Sequence, residues 1–222
     1  MGDARFESEM NGNPQSRGVF FDEDWFPTYD DRPGGLRYYM WADPAFGTSG
    51  SGSYKAVVVC GTDKRRYYVI DAWLDNTSPT VAMIEAMYAF VQRYDALRPG
   101  GYENDFAQDD RLARDFQDAA DRHGFPLPVS GDTNQRGSKE ARIESMEPRA
   151  SQDRIFWPTR AVQGINHDHV QRLKSQMLAW PDGADDGPDA LESCIARMRY
   201  QGATDRLGYQ SLGKRRGYRS HR

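Results

Sequence analysis

Cysteine is almost missing from this chain: two in 222 residues, Cys60 within an apolar run and Cys194 within a helical pattern. Neither has neighbours at zinc-ligand spacing, and two lone thiols build no disulfide framework, so both read as buried apolar fillers. Long hydrophobic runs are missing too. No stretch reaches the roughly 18 apolar residues of a membrane-spanning helix, which excludes a helical membrane protein and leaves no membrane partner to expect. The opening residues, Met1-Gly2-Asp3-Ala4-Arg5-Phe6-Glu7, have neither the apolar centre nor the cleavage pattern of an export signal, so a cytoplasmic protein is expected. The Gly/Ser segment 47–55, GTSGSGSYK, lacks the Gly-Lys-Ser/Thr ending of a phosphate loop and runs into a strand pattern instead of a helix. Nucleotide binding is excluded there.

Nor is there an excess of positive charge. A net charge of −4 excludes a uniformly basic nucleic-acid binder, although the tail from Arg206 to Arg222 carries Lys214, Arg215, Arg216 and Arg219 with no acid. Such a tail either touches phosphates or is a solvated terminus. With 38% hydrophobic and 12% aromatic residues the chain has the material for a folded core, and its length suits one domain with extensions. The expected division is an arm over 1–36, a domain over 37–200 and a basic tail over 201–222.

Residues 1–36 are rich in Gly, Pro, Asn and Asp, and read as an irregular linker in spite of Phe20, Phe21, Trp25, Phe26 and Tyr29. Three strand patterns follow over 36–43, 54–61 and 66–73, the first stopped by Pro44, and they predict an antiparallel meander. Ser78 is placed to cap a helix opened by Pro79 and carrying Ile84, Met87, Tyr88 and Val91 on one face. A segment holding Tyr102-Glu103-Asn104 comes next, then a helix over about 110–123 closed by Gly124, a strand at 127–130, and a polar loop over 131–138. A short helix over 139–146 ends before Pro148, followed by a strand at 155–157 and helices over 169–180 and 188–200. A meander completed by single strands between helices predicts an α/β fold: a mixed central sheet, antiparallel and parallel, flanked by helices, of the RNase H-like class.

Three separated acidic signatures carry the chemistry: Asp43-Pro44 at a strand end, Glu103 after a Gly-Gly turn, and Asp185-Asp186-Gly187-Pro188-Asp189 at a helix mouth. Carboxylates gathered from distant segments are what hard divalent ions need, and two such ions can activate water, neutralise a phosphodiester and stabilise its leaving oxygen. Each acid also has an ordinary reading: a turn former before proline for Asp43, a solvent-facing acid for Glu103, and helix capping for one or two of the aspartates. Lys139 and Arg142, three residues apart on one helical face, would contact a DNA phosphate or steady an acid. His123, His167 and His169 lack zinc spacing and read as surface residues.

At these residues the chain resembles the nuclease domain of the large terminase subunit of tailed bacteriophages. The likeness runs through Ala42-Asp43-Pro44-Ala45, the hairpin ending Tyr68-Val69-Ile70-Asp71-Ala72-Trp73, then Glu103-Asn104, Lys139-Glu140-Ala141-Arg142-Ile143, and Asp185-Asp186-Gly187-Pro188-Asp189-Ala190-Leu191. It extends to the arm, where Phe6 to Pro14 and Gly18-Val19-Phe20 look like the segment that joins ATPase to nuclease. The resemblance implies a two-metal endonuclease using Mg²⁺ or Mn²⁺ that cuts double-stranded DNA during genome packaging in the host cytoplasm. Its implied partners are the terminase ATPase part, the small terminase subunit and the portal. Asp43, Glu103 and Asp186 would be catalytic, with Asp185 and then Asp189 as the next candidates for the last metal ligand. Two departures stand out: Ser53-Tyr54 occupies the place of a frequent Asp-Tyr, and no ATPase motor is present. The chain is therefore expected to be an excised domain or the product of a split or truncated gene. The competing readings are a resolvase- or transposase-type nuclease and a non-catalytic DNA- or portal-docking module.

Overall fold

The computed structural model describes residues 20–44, 53–94, 97, 100–103, 110–132 and 137–213. Asn104, the Gly/Ser loop through residue 52, positions 133–136, the arm through residue 19 and the tail from 214 lie outside the described residues.

Among the described residues, seven strands form one mixed sheet. In chain order they are β1 (Thr28–Tyr29), β2 (Arg37–Asp43), β3 (Lys55–Thr62), β4 (Tyr67–Asp75), β5 (Gly100–Glu103), β6 (Val129–Asp132) and β7 (Ile155–Pro158), and in space β1-β7-β4-β3-β2-β5-β6. The expected meander is β2-β3-β4, paired antiparallel with Asp43 opposite Ala56 and Val57 opposite Trp73. Parallel pairings add β5 to β2, β6 to β5, β7 to β4 and β1 to β7. Every strand except β3 therefore points the same way, and Asp43, Asp75, Glu103 and Asp132 all end strands along one edge.

Alternation along the strands separates two cores, because successive side chains of a strand face opposite sides of its sheet. Tyr39, Trp41, Ala56 and Val58 face one layer, whereas Met40, Ala42, Val57 and Val59 face the other. The first layer is filled by α5 (His167–Ala179) and α6 (Asp186–Gly213), with the short helices α3 (Lys139–Glu144) and α4 (Glu147–Ala150) beside them. The second is covered by α1 (Thr80–Arg93) and α2 (Asp110–His123), whose Ile84, Met87, Leu112 and Ala119 are buried. Covering both faces explains why β3 reads as a continuous apolar run instead of an alternating one. This is the mixed sheet with flanking helices expected of an RNase H-like domain.

Several local expectations need correction. The arm is not an unpacked linker throughout: Phe21 and Phe26 are buried in the first core, and β1 adds a strand to the sheet through Thr28 opposite Trp157. Ser78 does not cap α1; its hydroxyl donates to Asp75 Oδ2 at 2.9 Å, and Pro79 holds the N-cap position. Pro148 does not close the preceding helix but lies in the first turn of α4, where its missing N–H leaves no bond unmade. Gly124 does close α2, with the positive φ of +76° that glycine accepts without strain. The last helix begins at Asp186, two residues before the expected start, and continues to Gly213, so the first part of the basic tail is helical backbone.

Candidate metal centre

Close packing between β2 and β5 sets the first half of the site. Gly101 pairs with Trp41, and a Cβ there would stand 2.4 Å from the indole ring; at Gly100 it would stand 2.5 Å from the carbonyl oxygen of Met40. Two glycines therefore let β5 settle against β2, and Glu103, two residues on, arrives beside Asp43.

The second half depends on how α6 meets the sheet. Its Gly187 leaves no room for a side chain, since a Cβ would lie 2.4 Å from Gln176 Oε1 and 2.7 Å from Leu74 Cδ2. The Gly187 N–H donates to that Gln176 oxygen at 3.0 Å, which pins the first turn of α6 between α5 and the end of β4. Seated this way, the N-terminal turn of the helix, where its dipole favours negative charge, points its acids toward β2 and β5.

Among the described residues, Asp43, Glu103 and Asp189 form one group whose ligand atoms all lie within 4.8 Å of one another. Asp43 and Asp189 are buried and Glu103 is partly so. The other two aspartates are differently engaged. Asp186 accepts from the Tyr54 N–H at 2.6 Å and from Lys139 Nζ at 3.1 Å, and Asp185 accepts from Lys139 Nζ at 2.7 Å. Asp186 thus ties the start of β3 to α6, while Asp189, ranked third by sequence, is the member of the cluster that meets Asp43 and Glu103.

Both cations of α3 turn inward. Ser138 caps that helix by accepting from the Ala141 N–H, and the three-residue spacing of Lys139 and Arg142 aims both at the acids. Burial works against the charge on Lys139, but its bond to Asp185 and the fields of Asp186 and Asp43 prevail and raise its pKa. Arg142 donates through Nε and Nη2 to the two oxygens of Asp189 at 2.9 and 2.5 Å, and Nη2 lies 3.6 Å from Glu103 Oε1. The bond to Asp189, ahead of the opposing effect of burial, raises the pKa of this guanidinium as well.

His123, His167 and His169 stay out of the acidic group, yet they are not simple surface residues. His123 stacks on Tyr88 at 3.9 Å between ring centres, His167 Nε2 lies 2.8 Å from the Val162 carbonyl, and His169 Nδ1 sits against the backbone of Leu74. Burial chiefly lowers the pKa of His169. Cys60 and Cys194 are free and buried, as their apolar surroundings imply. No helix among the described residues is long and apolar enough to cross a membrane.

No family model matches the chain, and no curated protein matches it in sequence. Solved structures do match its fold. The large terminase nuclease of the thermophilic phage G20c superimposes with a TM-score of 0.51 at 13% identity, over 78% of this chain and 94% of that one. The Mn-soaked, inhibitor-bound terminase nuclease domain of human cytomegalovirus gives 0.55 at 15% identity, over 80% and 94%. The HK97 bacteriophage large terminase gives 0.53 at 11% identity over 80% of this chain, which spans only 43% of that longer protein. The chain has the RNase H-like fold of terminase nuclease domains.

Proposed function

We propose that this chain is a metal-dependent endonuclease that cuts double-stranded DNA during phage genome packaging, with Asp43, Glu103 and Asp189 as its metal ligands. The observation that carries this reading is the convergence of three carboxylates from three distant segments within 4.8 Å at one sheet edge. Like charges so close repel; Arg142 offsets part of this at Asp189 and Glu103, and a divalent cation among all three would remove the conflict more fully. An all-oxygen, all-carboxylate donor set suits a hard ion such as Mg²⁺ or Mn²⁺ and offers nothing to a soft one. When bound, such ions supply a nucleophilic water and charge neutralisation at a phosphodiester, with two ions about 3.5–4 Å apart in the two-ion form.

What the chain itself contributes is placement. β2 and β5 fix Asp43 and Glu103 on neighbouring strands, the first turn of α6 brings Asp189 to them, and Lys139 bridges Asp185 and Asp186 and offsets part of their charge. The contacts of Lys139 and Arg142 favour steadying these acids over direct phosphate binding. The terminase ATPase part, the small terminase subunit and the portal are the partners that the resemblance implies; the chain itself spans 43% of the HK97 large terminase.

Replacing Asp43 with alanine tests the function: Mn²⁺-dependent nicking and linearisation of plasmid DNA should disappear while the circular dichroism spectrum is kept. Undiminished cleavage by this variant sinks the proposal. Binding of DNA without any Mn²⁺ binding would point instead to a docking module, and preference for four-way junctions to a resolvase.

A further inference from the structure

A positive charge already stands within the acidic group. Arg142 uses its guanidinium fork on both oxygens of Asp189 and lies 3.6 Å from Glu103, so one side chain spans two of the three carboxylates. The Arg142 side chain is 11% exposed and that of Asp189 3%, which removes the pair from most of the screening that weakens surface ion pairs.

We infer that Arg142 is an internal counter-ion that competes with the metal: it holds Glu103 and Asp189 together in the metal-free protein and swings off Asp189 when the ion loads. The inference rests on the metal-centre reading above. A divalent ion a few ångströms from a guanidinium is repelled, at the effective dielectric of a protein, by more than a tenfold change in affinity represents. The two cations cannot share Asp189 and Glu103 without that penalty. Lys139 differs, because its ammonium bonds to Asp185 and Asp186, outside the three converging acids. Of the two cations of α3, Arg142 is therefore the one bonded to a converging acid, while Lys139 meets that group only through the field of Asp43. Arg142 is a positioning residue, acting on the ligands and not on the substrate.

The test needs no DNA. In wild-type protein labelled with ¹⁵N, the Arg142 Nε–H resonance, assigned through Arg142→Lys, should move toward the position of a solvent-exposed arginine in step with Mg²⁺ binding measured by calorimetry. A resonance that stays in place while Mg²⁺ saturates the site overturns the inference. In parallel, Arg142→Gln should bind Mn²⁺ at least tenfold more tightly than wild type, with Arg142→Lys between them, while its Tm in EDTA falls below that of wild type. Equal or weaker Mn²⁺ binding by folded Arg142→Gln also overturns it, leaving the metal centre intact if wild type binds. If neither wild type nor the variant binds any Mn²⁺, the metal-centre reading fails and this inference with it. Should Arg142→Gln not fold, the wild-type titration decides alone.

Discussion

Trp41 stands opposite Gly101 in the parallel pairing of β2 and β5, and its indole fills the place a side chain at Gly101 would take. An aromatic ring on one strand thus dictates a bare backbone on the next, two residues before each strand delivers its acid. Gly101→Ala should cost about 1–3 kcal/mol by overpacking and displace Glu103 from Asp43. Urea denaturation would give the first figure, and the expected loss of Mn²⁺ affinity by calorimetry the second; a variant unchanged in both would show that the contact does not position Glu103.

The last acidic cluster separates into two roles. Asp189→Asn should reduce cleavage on the order of ten-thousandfold, as loss of a residue acting within a catalytic unit does, and abolish Mn²⁺ binding. Asp186→Asn should chiefly lower Tm, because it weakens the ties to Tyr54 and Lys139, and should retain measurable Mn²⁺ binding. The reverse pattern would make Asp186 the ligand.

Asp71 is fully buried and accepts from Arg93 Nη1, the Tyr94 hydroxyl and the N–H groups of Ala72 and Asn166. It joins β4, α1 and the approach to α5. Removing it strands two buried donors, the Tyr94 hydroxyl and the Ala72 N–H, each worth about 1–3 kcal/mol, so Asp71→Ala should lose about 3 kcal/mol or more in chemical denaturation. A loss below 1 kcal/mol would mean that the donors find other partners.

Asp75 ends β4 and accepts from Thr77 and Ser78 ahead of α1. Burial opposes its charge, but those hydrogen bonds outweigh it and hold its pKa below the ordinary 3.8. A depressed carboxylate stabilises the fold above its unfolded pKa and loses that contribution as pH falls through the folded value. Asp75→Ala should therefore cost about 1 kcal/mol at neutral pH, like the loss of a helix cap, and the difference from wild type should shrink below about pH 3.8. A difference that persists undiminished at pH 2 would rule out the carboxylate as its source.

The meander was legible because β2, β3 and β4 are long, apolar and punctuated by Pro44 and the turn at Asp63-Lys64. Their pattern needs no partner to be recognised. Asp43 was legible as a strand end before proline; Glu103 was singled out after what read as a Gly-Gly turn, but both glycines lie within β5, where their bare backbones pack against Met40 and Trp41. The arm was not legible, because Phe21, Phe26 and Tyr29 follow no helical or strand period; they are buried by docking against Trp157, Tyr68 and their neighbours, contacts more than a hundred residues away in the case of Trp157. His169 was misjudged likewise, since its half-buried seat is made by Leu74 and Trp73 on a distant strand.

By itself the amino-acid sequence determined the strand meander, the helices around it and the three acidic signatures, all written in local patterns of a few residues. Which aspartate of the last signature faces the others was decided only in three dimensions. Asp185, Asp186 and Asp189 lie within little more than one helical turn, so their directions depend on the rotation of α6 about its axis. That rotation is set by Gly187 against Gln176 and Leu74, and by the bonds of Asp186 to Tyr54 and Lys139. Tertiary packing then placed Arg142 across Asp189 and Glu103, a juxtaposition that no spacing along the chain could express.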